Sequence, residues 1–111
     1  MRAGELRHRV SIENLVVDLD SDGAQVEGWL PFTPGLVPAA IEPLSGREQI
    51  AAAATQSKVS TRIRMRYFPG VLPSMRVVHR QTVYNIEAVI ADQISGVRSM
   101  TLLCTTGLNE G

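Results

Sequence analysis

The stretch Ile41–Tyr67, IEPLSGREQIAAAATQSKVSTRIRMRY, decides how the rest of the chain reads. Ser45-Gly46-Arg47-Glu48 fits the capping box S-x-x-E. The Ser45 hydroxyl can accept from the Glu48 amide while the Glu48 carboxylate reaches back to the Ser45 amide. Good helix formers follow, so one short α-helix is expected over about residues 45–56. Ile50, Ala51 and Ala54 share one small, smooth face of it, and with so little apolar bulk the helix needs docking to be stable. Next, Lys58–Tyr67 alternates strictly. Val59, Thr61, Ile63, Met65 and Tyr67 take one side, and Ser60, Arg62, Arg64 and Arg66 the other. That is a half-buried strand with an arginine ladder on its outer face.

Outward from this stretch the pattern is β. Leu6, His8, Val10 and Ile12 alternate with Arg7, Arg9, Ser11 and Glu13, and Leu15-Val16-Val17 break the alternation. Asp18–Leu36 is rich in Asp, Gly and Pro and is expected as a long loop (about 18–36). Within it, Asp22-Gly23 is a turn dipeptide that can close a hairpin onto a weak return strand, Ala24–Trp29, and Trp29 and Phe32 can pin the loop to the body. Val37–Pro43 is a short strand. Met75–His79 and Thr82–Ile90 form a hairpin across Arg80-Gln81, Ala91–Gly96 is a turn, and Val97–Thr105 is the last strand. Met1–Glu5 and Thr106–Gly111 read as polar ends. The expected fold is all-β, a small β-barrel or two-sheet sandwich of about six short strands with the helix inserted. It forms a single domain over residues 1–111.

Composition narrows the function classes. The chain has 11 basic and 11 acidic residues and a mean hydropathy of +0.03, so it lacks the basic excess of a dedicated nucleic-acid binder. The charge is unevenly placed. Arg47 to Arg80 holds seven basic residues against one acid, Glu48, whereas Asp18 to Glu27 holds four acids and no base. Such polarity suits self-association. The single cysteine, Cys104, excludes an intrachain disulfide and points to a reducing setting. No apolar run has the length of a membrane span, and MRAGELRHRV lacks the apolar centre of a signal peptide, so a cytoplasmic location is expected.

Catalytic chemistry finds little support. His8 and His79 lie in strands far apart and belong to no spacing motif. Cys104 sits on the apolar face of a strand as an inert thiol. Asp18, Asp20, Asp22 and Gly23 follow the start of a calcium loop, but Leu30 stands where its last carboxylate belongs and the flanks are not helical. No enzyme, metal or cofactor is expected. Three uses suit the ladder: a solvated face, a phosphate-binding surface, or a subunit interface. Tyr67 points away from it, so stacking aromatics are not interleaved with the arginines as single-strand binding needs. A subunit interface of Arg47, Glu48, Arg62, Arg64 and Arg66, paired with acids of a neighbouring copy, is the favoured reading.

Several segments together resemble the head–tail joining (head-closure, or head–tail adaptor) proteins of tailed bacteriophages. They are Gly4–Val10, Ile41–Glu48, Thr61–Tyr67, Val83–Ile86 and Leu102–Cys104, and they cover nearly the whole chain. Two departures are Pro38, near where that family tends to carry an aromatic, and the missing histidine near Thr61. The resemblance implies a small β-barrel with a short helix, a structural virion protein of the head–tail connector, present in the host cytoplasm during assembly. Its implied partners are copies of itself in a ring, the portal or adaptor ring, and a tail-terminator or tail protein. Double-stranded DNA would be retained behind the ring and pass through it without tight binding. Acids facing a lumen repel phosphates over about 8 Å at physiological salt, so Asp18, Asp20, Asp22 and Glu27 are the expected channel residues. Competing readings are a tail-completion or minor tail protein and a nucleic-acid-binding β-barrel.

Overall fold

In a computed structural model, described here for residues 6–54, 58–91 and 98–106, seven strands and one helix follow in order. They are β1 (His8–Leu19), β2 (Gln25–Pro31), β3 (Val37–Pro43), α1 (Gly46–Ala54), β4 (Thr61–Arg66), β5 (Arg76–His79), β6 (Thr82–Ala91) and β7 (Ser99–Thr106). The expected ends Met1–Glu5 and 107–111, helix residues 55–56 and turn residues 92–96 lie outside the described residues.

Every pairing is antiparallel, and the strand order β1-β3-β4-β7-β6-β5 returns to β1. Six strands therefore close a barrel, the alternative that leaves the wall no open edge. Alternation selects the inward set: Val10, Ile12, Ala39, Ile63, Met65, Val77, Ile86, Met100, Leu102 and Cys104 are buried and pack as one core. The connector after β4 adds Val71 and Met75. The wall-facing residues between them, including Arg62 and Arg64, are only half-buried.

β1 serves two structures. His8–Val10 pair with β3 and Ser11–Glu13 with β5, whereas Glu13–Leu19 pair with β2 in a hairpin that leaves the barrel as an arm. Most of the arm is exposed, including Val17, Leu19, Val26 and Leu30. The radius of gyration is accordingly 15.1 Å, against about 13 Å for a compact chain of this length. The expected long loop over 18–36 is corrected: only the turn at 20–24 and the jog at 32–36 are non-strand. The alternation breaks after Glu13 because neither face of the arm meets a core, so nothing selects an apolar side.

The jog between β2 and β3 keeps its backbone satisfied. Phe32 N and Thr33 N donate to Ile12 O at 2.7 and 3.3 Å, and Ile12 N donates to the buried Thr33 Oγ1 at 3.2 Å. A hydroxyl thus replaces a ladder carbonyl where the chain steps out of register. Trp29 and Phe32 do pin this segment. The Arg76 guanidinium lies 4.1 Å over the Trp29 ring, and Phe32 meets Phe68 edge-on at 5.5 Å.

Candidate assembly surfaces

The capping box forms as the sequence predicts. Ser45 N donates to Glu48 Oε1 at 3.0 Å, and Glu48 N to Ser45 Oγ at 3.2 Å. The docking of α1 is different from the expectation. No residue of the helix is buried, and Ile50 is 74% exposed. Glu48 and Ala52, four residues apart, are the half-buried positions, so the helix attaches through a carboxylate and one alanine rather than through the expected face of Ile50, Ala51 and Ala54. Arg62 Nη1 meets Glu48 Oε2 at 2.9 Å, and Gln49 Nε2 donates to Leu44 O at 3.0 Å.

The same arginine links the helix to the wall. Arg62 Nε meets Glu42 Oε1 at 3.2 Å, and Arg64 Nη2 meets Glu42 Oε2 at 2.7 Å. Arg64 Nε also donates to Glu42 Oε1 at 3.2 Å, completing a fork on one carboxylate. The Arg64 hydrogen bond, opposed by burial and reinforced by Arg62, holds the Glu42 carboxyl below its ordinary range. The Ser45 amide and then Arg62 do the same for Glu48, and Glu48 and Glu42 raise Arg62. The favoured reading has a second copy supply acids to the ladder; for Arg62 and Arg64, this chain supplies its own. Arg66 and Arg47 stand exposed.

The expected channel residues lie at the tip of the arm. Asp20 Oδ1 accepts from Asp22 N and Ala24 N, both at 2.9 Å, and Gly23 takes φ +82° beside it. This carboxylate is therefore spent on the turn. Asp18, Asp22 and Glu27 are exposed. Among the described residues no three of His, Cys, Asp and Glu gather as metal ligands, and no helix is long and apolar enough to cross a membrane.

Two constellations escape sequence reasoning. Glu13 and Arg76 pair at 2.8 Å across the β1–β5 seam, a contact 63 residues apart in sequence. His8 and His79, expected far apart, meet edge-on with ring centroids 4.9 Å apart. Barrel closure through β1 and β5 brings both pairs together, and no local pattern announces it. Cys104 is fully buried, and burial pushes its thiol up to about 12, so it carries almost no thiolate at neutral pH.

Comparison with known proteins matches this arrangement to one family. Residues 1–107 match the family model described as phage head completion protein. The head completion protein gp7 of Enterobacteria phage HK97 is 31% identical over 115 aligned positions, covering 99% of this chain and all of that protein. A solution structure of a protein from Shigella flexneri 2a superposes with a TM-score of 0.76 at 25% identity, covering 96% of this chain and 97% of the other. A chain in the virion of a native gene transfer agent particle shares the fold, with a TM-score of 0.57 at 17% identity over 94% of this chain and 97% of that one. The chain belongs to the phage head completion protein family.

Proposed function

We propose that this structural head–tail connector protein works as one subunit of a ring. The ring seats on the portal or adaptor complex of a DNA-filled head and presents its other side to the tail. The carrying observation is a family match spanning nearly the whole chain, on a closed barrel with a projecting arm. A closed barrel offers no edge for strand addition, so contacts between copies fall to the arm, the helix and charged wall positions. Arg47 and Arg66 are the exposed members of the predicted interface, while the Glu42–Arg62–Glu48 network stiffens the wall beneath α1.

The ring retains packaged DNA and later lets it pass. A conduit must not hold its cargo, because each phosphate neutralised by Arg or Lys adds affinity. A chain with 11 bases and 11 acids meets that requirement better than a basic one. Its working location is the virion. Heads made without this gene product are expected to fill with DNA and remain tailless in electron micrographs, and adding the purified protein restores joining. Free tails that lack their terminal component, beside heads that are already complete, would transfer the protein to the tail instead.

A further inference from the structure

Barrel closure assembles a basic cleft that no short stretch of sequence contains. Arg7, just before the first strand, and His8 and Arg9 within it face His79 and Arg80 at the β5–β6 turn around an open volume of about 520 Å³. Ser11, Leu36 and Val78 add to its walls, and among the described residues no carboxylate lines it. His79 Nδ1 donates to Arg9 O at 3.1 Å, since a carbonyl can only accept, and this fixes the ring with Nε2 as its other polar atom. Arg80 holds φ +57° in a two-residue turn where Asn or Gly is favoured. The turn thus keeps a guanidinium at the cleft against local preference.

The complementary surface is on the same molecule. The arm tip carries Asp18, Asp22 and Glu27 beside the exposed Val17, Leu19 and Val26, and no basic residue lies between Arg9 and Arg47. Acids with an apolar flank therefore match bases with an apolar flank. The tip cannot reach its own cleft. Arg9 and Asp18 sit nine residues apart on one continuous strand, a separation of about 30 Å at strand rise.

We infer that the acidic arm tip of one copy docks in the Arg7–Arg9/His79–Arg80 cleft of the next. Such a contact is heterologous, head to tail, and repeats around a closed ring. It places Asp18, Asp22 and Glu27 at a subunit seam rather than facing the channel, and it rests on the ring reading above.

Charge reversal tests it on DNA-filled heads that lack the native chain. A cleft variant, Arg9→Glu with Arg80→Glu, and an arm variant, Asp22→Arg with Glu27→Arg, should each lower tail joining by at least about tenfold. All four substitutions in one chain should restore it, because each reversed tip then meets a reversed cleft. Arg80→Asn guards against misfolding: its melting temperature should equal or exceed that of the native chain while joining falls. Failure of the fourfold variant to rescue overturns the docking. So does loss of duplex DNA binding by the cleft variant without rescue, which would make the cleft a phosphate site. Heads that join tails without any of this protein would overturn the ring reading itself, whereas rings unaffected by either reversal would overturn only the docking.

Discussion

Glu13 and Arg76 face each other across the seam where β1 meets β5, and their 2.8 Å ion pair clasps the closed barrel from outside. Trp29 covers the guanidinium, so the pair is mostly shielded, with side-chain exposures of 22% and 13%. Arg76 Nη1 is buried with no hydrogen-bond partner among the described residues. Removing one charge strands the other. Glu13→Gln is expected to cost about 2–3 kcal/mol, less than the loss of a fully buried pair because some solvent access remains. The double variant Glu13→Leu/Arg76→Leu should recover most of that loss, since it also removes the unpaired donor. Urea unfolding of the three proteins measures the difference.

Acid should loosen the helix-bearing wall. Arg64 and Arg62 depress the Glu42 carboxyl, so its contribution is present above the ordinary carboxylate pKa and is lost as pH falls through the depressed value. The pair is one-third exposed, so the contribution is no more than about 1 kcal/mol. The stability gap between the native chain and Glu42→Gln is therefore expected at pH 7 and should shrink as pH falls below the ordinary carboxylate pKa. An unchanged gap across that range would show that the fork adds nothing.

Cys104 should be silent until the barrel opens. Its fully buried thiol, pushed up to about 12, is expected to react with a maleimide more than about a hundredfold slower than free cysteine at pH 8. Denaturant should restore the full rate, so the labelling rate against urea reports global opening at β7.

Gly70 is a steric test of the Phe32 anchor. It takes φ +91°, and a Cβ there would sit 3.0 Å from the Phe32 ring. Gly70→Ala should cost more than about 1 kcal/mol from backbone conformation alone, with the ring contact adding to it. By contrast, Ile50→Ser on the exposed side of α1 should change stability by less than about 0.5 kcal/mol. Thermal melts of both variants separate the anchor from the surface.

Much of the barrel was legible because its strands alternate against a core. Lys58–Tyr67 reads true at every described position of β4, with Thr61, Ile63 and Met65 buried and Arg62 and Arg64 outside. The capping box was equally legible, being a contact between residues three apart. The arm was legible only in part: Asp22-Gly23 and the return strand Ala24–Trp29 announced its hairpin, but β2 reads QVEGWLP with no buried face, so nothing marked the hairpin as long or as leaving the barrel. The acids that meet the arginine ladder escaped too. Glu42 reaches Arg62 and Arg64 only because β3 and β4 pair in that register, and a linear reading left the ladder facing a neighbour. The histidine cleft and the Glu13–Arg76 clasp depend on closure between the first strand and the fifth, which no local signal specifies.

β1 has no break between His8 and Leu19, so barrel wall and arm share one backbone. The Thr33 hydroxyl ties the jog after β2 to β1 at the point where wall and arm part. An arm built this way continues the wall without an intervening loop. The bearing of its tip relative to the wall follows from the twist of a single strand. If the tip meets another copy, the bearing becomes a constant rotation from each subunit to the next, and the number of copies in the ring is written into the curvature of β1.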